Sequence, residues 1–151
     1  LLDEVIAESL RHISRKHDEY TIVTKCEELI LVRMDVQLII QVLVNLIDNA
    51  IKYTTKGSKI CIRGMKCNGK AQICVEDNGP GIADEMKPYI FEMFYTGKST
   101  IADSQRSLGL GLSLCQSIIE AHDGRLLLTD NTPRGCIFTF TLPLSEVTLN
   151  E

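Results

Sequence analysis

The sequence predicts a single domain of mixed structure that contains both helices and strands. Its 151 residues are enough for one domain with a real core and too few for two comfortable ones. Hydrophobic residues make up 44% of the chain and charged residues 24%, the profile of a globular rather than a disordered protein. Apolar residues recur at helical spacing in some segments and at strand spacing in others, with no internal repeat or interdomain linker. We therefore expect residues 1–151 to form one domain.

The N-terminal part of the chain predicts one helix and two strands. Apolar residues at helical spacing indicate a helix through about Lys16, and they are Val5, Ile6, Leu10 and Ile13. The runs YTIVT (20–24) and ELILVRM (28–34) then read as short strands on either side of an acidic turn at 26–27.

The next segment, VQLIIQVLVNLIDNAIKYT, predicts a long helix that begins after Asp35. The Asp35 carboxylate is suited to cap it, because it can accept hydrogen bonds from the free amides of the first turn. We expect the helix to run to about Thr54 and Gly57 to stop it. An apolar stripe should face the core, and it comprises Ile39, Leu43, Leu46, Ile47 and Ala50. A second line carries polar side chains at steps of four and three, and these are Asn45, Asn49 and Lys52.

Two strands follow, KICIRGMKC (59–67) and KAQICVED (70–77), and they predict a hairpin. The dipeptide Asn68–Gly69 between them is typical of a type I′ turn. Alternation along the second strand places Asp77 on the same face as the apolar residues Ile73 and Val75, whereas Glu76 points the other way. Asp77 therefore continues the buried side of its strand.

The C-terminal half predicts a short helix, a polar loop, a longer helix and two strands. ADEMKPYIFEMF suggests the short helix and YTGKSTIADSQRS (95–107) the loop. The glycine-rich LGLGLS (108–113) opens a helix expected to continue through His122 and to end at Gly124. RLLLTD and CIFTFTLP read as closing strands, the second with one apolar face formed by Cys136, Phe138, Phe140 and Leu142.

Charge and cysteine usage exclude several classes of function. The net charge of −4 gives no general attraction to nucleic acid or to an anionic membrane. No apolar run reaches the length of a transmembrane span, and the start LLDEVIAESLRH carries acids where a signal peptide carries basic residues, so we expect a soluble, cytosolic chain. The cysteines form no CxxC pair, and we expect reduced core residues rather than zinc ligands or disulfides at Cys26, Cys61, Cys67, Cys74, Cys115 and Cys136.

Three segments carry residues suited to nucleotide chemistry. Amide oxygens such as those of Asn45 and Asn49 can bind Mg²⁺, and Lys52 could neutralise phosphate, although a solvated helix face explains the same pattern equally well. The Asp77 carboxylate only accepts hydrogen bonds and the exocyclic amine of adenine donates them, although VEDNGPGIADE could also be a plain turn.

The third segment suits phosphate. Gly109 and Gly111 precede a helix, where bare backbone amides bind anions, although a flexible hinge has the same pattern. Lys98 and Arg106 lie in the loop before it, where cations could fold over a phosphate chain or simply be surface residues.

Taken together and in this order, the segments resemble the ATP-binding domain of sensor histidine kinases. The matching segments are NLIDNAIKY (45–53), DNGPGI (77–82), IFEMF (90–94), LGLGLSLCQSIIEAHDG (108–124) and the ending TPRGCIFTFTLP. The resemblance covers nearly the whole chain. It implies the Bergerat fold of the GHKL family, an α/β sandwich with a mixed, mostly antiparallel sheet and helices packed on one face. Within the family, the sequence is most similar to the potassium-responsive, Kdp-type sensor kinases.

The resemblance also implies a role for each matched residue. Asn49 looks like the Mg²⁺ ligand, Asn45 its support and Lys52 a phosphate contact, and these three are the implied catalytic residues. Asp77 would bind the adenine amine. The base and ribose would lie near Tyr53, Gly79, Gly81 and Ile82. Lys98 and Arg106 would belong to a lid, and the triphosphate would be wrapped by Gly109, Leu110, Gly111 and Leu112. The family often has a glycine where Ser107 stands here.

Three activities stay open, and they are phosphoryl transfer, ATP hydrolysis and regulatory nucleotide binding without kinase activity. Hydrolysing relatives place a glutamate base where Asn45 stands, and an amide cannot accept a proton at neutral pH, which favours transfer. No histidine here has the acceptor pattern of the family, so His12, His17 and His122 are interpreted as surface or structural residues. The resemblance therefore implies that the acceptor and dimerisation helices, and a response regulator, lie outside this chain. We expect the chain itself to be monomeric and to be the cytoplasmic part of a membrane-anchored kinase.

Overall fold

Five strands form one mixed sheet in the computed structural model, which describes residues 1–13, 21–26, 29–52, 57–90 and 110–144. The strands are β1 (Thr21–Cys26), β2 (Lys59–Cys67), β3 (Lys70–Asp77), β4 (Leu126–Asp130) and β5 (Cys136–Pro143). Their spatial order is β1-β2-β3-β5-β4. The β1–β2 pair is parallel and the other three pairs are antiparallel, which confirms the expected mixed, mostly antiparallel sheet.

Within these described ranges, three α-helices cover one face of the sheet. They are α1 (Leu2–Arg11), α2 (Val36–Lys52) and α3 (Leu110–Ala121), and a 3-10 helix spans Asp84–Tyr89. The central helix, α2, contacts α1 and α3 on its sides and β2 and β3 beneath it. The core therefore lies between α2 and the inward side chains of the middle strands. No helix in the described ranges combines the length and the apolar character needed to cross a bilayer.

Helix α2 begins as the sequence predicts. Asp35 Oδ1 accepts a hydrogen bond from the Leu38 N–H at 3.2 Å, so the carboxylate satisfies a free donor of the first turn. The whole predicted stripe is buried, and its members are Ile39, Leu43, Leu46, Ile47 and Ala50. The expected end near Thr54 lies outside the described residues. Gly57 has a φ of 85°.

The β2–β3 hairpin confirms both features expected of it. Asn68 and Gly69 have φ angles of 52° and 78°, as a type I′ turn requires at its two central positions. Along β3, Ile73, Val75 and Asp77 are buried, whereas Glu76 pairs on the opposite face with Arg63 at 2.9 Å between Oε2 and Nε.

The strand expected at 28–34 is wrong. Within the described part of this segment, only Val32 forms a bridge, an isolated antiparallel pair with Leu144. Ile30 inserts into the core, and its carbonyl oxygen accepts the N–H of Leu2 at 2.9 Å. This backbone group therefore closes the start of α1 instead of joining a strand ladder, and Leu29 stays 74% exposed.

The end of α3 differs slightly from the prediction. The helix ends at Ala121, and the left-handed residue after it is Asp123, with a φ of 62°, rather than Gly124. The His122 ring lies between two helices, because Nδ1 donates to the Ile118 carbonyl at 2.8 Å and Nε2 accepts the Asp35 N–H at 3.0 Å. His122 is therefore structural, as expected.

The remaining predictions about side chains concern the other two histidines and the six cysteines. His12 is an exposed partner of Glu8, as expected, and His17 lies outside the described residues. All six cysteines are free thiols. Four are buried, but Cys26 is half-buried and Cys67 is exposed. The expectation of a core residue is wrong for Cys67, because it is the last residue of β2, beside the exposed Asn68–Gly69 turn.

Gly124 should tolerate no side chain, because the chain passes against β5 there. A Cβ atom at this position would lie 1.8 Å from the Thr141 carbonyl oxygen. We expect Gly124→Ala to lower the free energy of unfolding by at least about 2 kcal/mol, measured by urea denaturation. The matched control is Gly111→Ala, whose Cβ would meet its nearest atom at 3.9 Å inside a helix. The control should be neutral or stabilising by up to about 1 kcal/mol, and equal losses in the two variants would contradict the close approach.

Candidate functional site

Asp77 is a buried carboxylate at the end of β3. Only 8% of the residue is exposed. Its Oδ1 atom accepts hydrogen bonds from two backbone N–H groups, that of Gly79 at 2.9 Å and that of Cys136 at 3.3 Å. No described residue donates a hydrogen bond to the second oxygen, Oδ2. The carboxylate is thus held through one oxygen, and the other remains an acceptor for a ligand.

Burial shapes the electrostatics of this corner. Removal from water raises the pKa of Asp77 above its ordinary value, and the two N–H donors lower it in part. Burial also raises the pKa of the Cys136 thiol to about 11, with a further contribution from the nearby Asp77 charge. A group that donates hydrogen bonds to Asp77 would therefore stabilise a charge that the fold itself disfavours.

The glycine corner is formed by the residues that follow Asp77. Gly79 is buried beside the carboxylate, and Gly81, with a φ of 83°, passes close to Gly135 of the β4–β5 turn. The backbone of Ile82 hydrogen-bonds the Cys136 sulfur, and its side chain is half-buried against the core. The structure therefore brings Asp77, Gly79, Gly81 and Ile82 into one corner, as the sequence predicts.

The second group of predicted residues lies where α2 meets α3. Asn45 contacts α3 at two positions one turn apart. A Cβ atom on Gly111 would lie 3.9 Å from Asn45 Cγ, and the Asn45 side chain hydrogen-bonds the Cys115 thiol. Burial raises the pKa of Cys115 to about 12, so this thiol stays protonated and donates to the Val42 carbonyl. The predicted amide helix and glycine-rich helix start are thus direct neighbours.

Asn49 lies one turn after Asn45 and is half-buried. No hydrogen bond joins its side chain to another described residue. Clusters of three His, Cys, Asp or Glu side chains suited to a metal ion are absent from the described ranges. A divalent cation bound here would therefore be coordinated by amide oxygens and by oxygen atoms of a bound small molecule. Mg²⁺ favours oxygen ligands of this kind.

The structure describes only some of the remaining predicted site residues. Leu112 is half-buried against the core. The side chains of Lys52 and Leu110 are not described, although both residues belong to helices. The residues outside the described ranges are Tyr53, Lys98, Arg106 and Gly109. The Asp77 corner and the Asn45–Asn49 pair form no hydrogen bond with each other within the described ranges.

Sequence reasoning missed the residues that hold the site from outside. The β4–β5 turn covers the Asp77 backbone through Asn131 and Gly135, and Cys136 supplies an N–H to the carboxylate. Cys115 contacts Asn45 from α3. The run NTPRG does indicate a turn, but nothing local in it indicates contact with a residue 54 positions earlier.

Comparison with known sequences places this geometry in context. The sequence pattern of the Histidine kinase-, DNA gyrase B-, and HSP90-like ATPase family matches residues 34–146. Sensor protein KdpD of Clostridium acetobutylicum is 40% identical over 144 residues, which are 95% of this chain and 16% of KdpD. Adaptive-response sensory kinase SasA of a Nostoc species is 42% identical over 119 residues, 78% of this chain and 29% of SasA. The chain thus spans less than a third of the length of either relative.

Solved structures show the same fold. The catalytic domain of histidine kinase ThkA, in a nucleotide-free form, superposes with a TM-score of 0.81 at 34% identity, covering 94% of this chain and 91% of that one. ThkA in complex with response regulator protein TrrA gives a TM-score of 0.78 at 32% identity, covering 95% of this chain and 40% of that one. These likenesses confirm the expected α/β sandwich and the resemblance to sensor kinases.

The raised pKa of Asp77 predicts a gain in stability when its charge is removed. The folded state binds the proton more tightly than the unfolded state, so stability falls as pH rises through the folded pKa, and at neutral pH the ionised carboxylate is destabilising. Asparagine keeps an oxygen for both N–H donors. We expect the free energy of unfolding of Asp77→Asn at pH 7, without nucleotide, to equal or exceed that of the unsubstituted protein in urea titrations.

The matched control is Glu76→Gln, one residue earlier and on the opposite face. It removes the half-exposed pair with Arg63 and should lower stability by less than about 1 kcal/mol. A marked loss of stability in Asp77→Asn would show that the carboxylate serves the fold rather than a ligand.

Proposed function

The chain belongs to the Histidine kinase-, DNA gyrase B-, and HSP90-like ATPase family, and from this premise we propose that it is the catalytic domain of a two-component sensor histidine kinase. It binds Mg²⁺ and ATP and donates the γ-phosphate to a histidine on a separate dimerisation domain. Residues 1–151 serve as one catalytic domain. The similarity to KdpD, SasA and ThkA supports this assignment.

The buried carboxylate of Asp77 carries the proposal. A buried acid with one oxygen held by backbone and the other without a described donor is unfavourable unless a ligand donates to it. The 6-amino group of adenine is such a donor. Gly79, Gly81 and Ile82 form the wall of the corner, and Tyr53 contacts the base and ribose.

The phosphates bind where α2 meets α3. Gly111 brings the N-terminal turn of α3 against Asn45, so free backbone N–H groups and an amide converge there. Asn49 offers its half-buried amide oxygen to the metal ion, and Asn45 supports it. Bound Mg²⁺ would neutralise phosphate charge. Lys52 contacts phosphate, and the remaining phosphate ligands come from the lid and the helix start, namely Lys98, Arg106, Gly109, Leu110 and Leu112.

Asn45 favours transfer over hydrolysis. A water nucleophile needs a base, and the Asn45 amide, hydrogen-bonded to a protonated thiol, cannot take a proton at neutral pH. Phosphoryl transfer to histidine depends mainly on positioning and charge neutralisation, which the two asparagines and the metal supply.

The proposal for the wider context of the domain is supported by its relatives. KdpD shares 40% identity over nearly the whole chain, and on this basis we assign the domain to potassium and osmotic-stress signalling, although SasA is similar at the same level. The ThkA complex with TrrA supports a response regulator as the downstream partner. We further propose that the separate chain is monomeric and that in the full kinase it lies on the cytoplasmic side of a membrane anchor.

The kinase assignment is tested with a chimera. This chain replaces the 144 aligned residues of the clostridial KdpD, and labelled phosphate is followed from γ-labelled ATP to the acceptor histidine. We expect labelling by the chimera. Asn49→Ala should reduce it at least about tenfold because a metal ligand is lost, and Glu76→Gln should leave it unchanged.

The separate chain discriminates the remaining activities. It should bind ATP without sustained phosphate release, because no base activates water. Sustained release that vanishes in Asn45→Ala would identify a hydrolase and contradict the kinase proposal. ATP binding with an unlabelled chimera would instead identify a regulatory nucleotide-binding module.

A further inference from the structure

The β4–β5 turn, residues 131–135, lies across the end of β3. Asn131 attaches one end of the turn, because its Nδ2 donates to the Asp77 carbonyl oxygen at 2.8 Å. The rest of Asn131 is fixed by the turn itself. Its Oδ1 accepts the Thr132 N–H at 2.8 Å, and its own N–H donates to the Gly135 carbonyl at 2.9 Å. The donor that reaches Asp77 therefore comes from a side chain whose other polar atoms are already held.

The other end of the turn lies against the same residue. A Cβ atom on Gly135 would lie 2.0 Å from the Asp77 carbonyl oxygen, so the two backbones are in direct contact. The next residue, Cys136, donates its N–H to the Asp77 carboxylate. Arg134 adds a hydrogen bond from Nε to the Asn78 carbonyl at 3.2 Å. The turn thus holds the carboxylate of Asp77 and the carbonyl groups of Asp77 and Asn78, which follow that side chain along the chain.

We propose that Asn131 is a positioning residue that sets the base selectivity of the nucleotide site. It fixes the Asp77 peptide, and with it the direction in which Oδ2 points toward a purine 6-amino group. This inference rests on the proposed function, in which Asp77 accepts from that amine. Hydrogen bonds weaken steeply with misalignment, and a small rotation of the Asp77 backbone moves the end of its side chain most.

The residues proposed to bind the base and those proposed to bind the phosphates lie on different elements, so loss of Asn131 should affect base recognition alone. The phosphates are held at Asn45 and Gly111, on α2 and α3, which the turn does not contact through any hydrogen bond of the described residues. Loss of the Asn131 donor should therefore weaken recognition of the amine and leave the affinity for the rest of the nucleotide intact. A residue that only stabilises the turn would instead lower thermal stability and the affinity for all purine nucleotides together.

The experiment measures dissociation constants for ATP and for purine riboside triphosphate, which lacks the 6-amino group. The intact chain should bind ATP roughly 10- to 100-fold more tightly than the analogue. In Asn131→Ala this ratio should fall by about fivefold, with the analogue affinity unchanged within about twofold. Asn131→Asp is a second variant that keeps the oxygen for the Thr132 N–H but removes the donor to Asp77, and it should lower the ratio in the same way.

The control is Gln72→Ala, which removes a side-chain amide from the open face of the sheet, where it contacts the sulfurs of Met65 and Cys74. The ratio of its affinities for ATP and for purine riboside triphosphate should equal that of the intact chain. An unchanged ratio in both Asn131 variants, or equal losses of affinity for both nucleotides, would overturn the positioning role. A reference variant, Asp77→Asn, separates the two proposals, because a ratio unchanged there would overturn adenine recognition itself.

Discussion

The packing of α2 against the middle of the sheet is the interaction on which the rest of the structure depends. The helix contacts β2 and β3, and its predicted apolar stripe includes four fully buried side chains, those of Ile39, Leu43, Leu46 and Ile47. Each such side chain stabilises the fold by roughly 1.5–3 kcal/mol when buried. The same contact fixes Asn45 and Asn49, because they lie on the flank of this helix. The positions of Asn45 and Asn49 are thus set by the packing of the core.

Asp77 is the exception on the apolar face that this packing covers. A buried carboxylate is unfavourable, and its raised pKa shows that the fold disfavours its charge. Two backbone N–H groups offset part of that effect, but they leave the second oxygen to a ligand. In the proposed function, the domain keeps a destabilising charge where a nucleobase amine neutralises its effect. Under that proposal, the stability lost at the site is recovered on binding, because a ligand that binds only the folded state stabilises it.

The fold follows from the sequence wherever a local pattern decides the structure. The α2 stripe, the type I′ turn at Asn68–Gly69 and the inward position of Asp77 are set by spacing over a few residues. The same reasoning is wrong for the segment around Ile30. Its continuous apolar run, residues 29–32, is typical of a short buried strand, but a backbone contact with Leu2 decides where the segment lies.

The candidate site likewise contains residues that a local pattern indicates and residues that only distant contacts place there. The order of the motifs is what points to Asp77, Asn45 and Gly111 as ligand contacts, and this role stays a prediction. Their outer supports could not be inferred in this way, because Asn131 and Cys115 act across contacts between distant segments, and an asparagine in a turn or a cysteine in a helix has no local signature of such a contact.

A crystal structure of the domain with bound ADP tests the assignment of the Asp77 corner to adenine most directly. We expect the adenine 6-amino nitrogen to lie within hydrogen-bond distance of Asp77 Oδ2, about 2.7–3.2 Å, with the diphosphate beside Asn45 and Gly111. A base bound on another surface, or an Asp77 carboxylate that faces only water, would contradict the assignment of this corner to adenine.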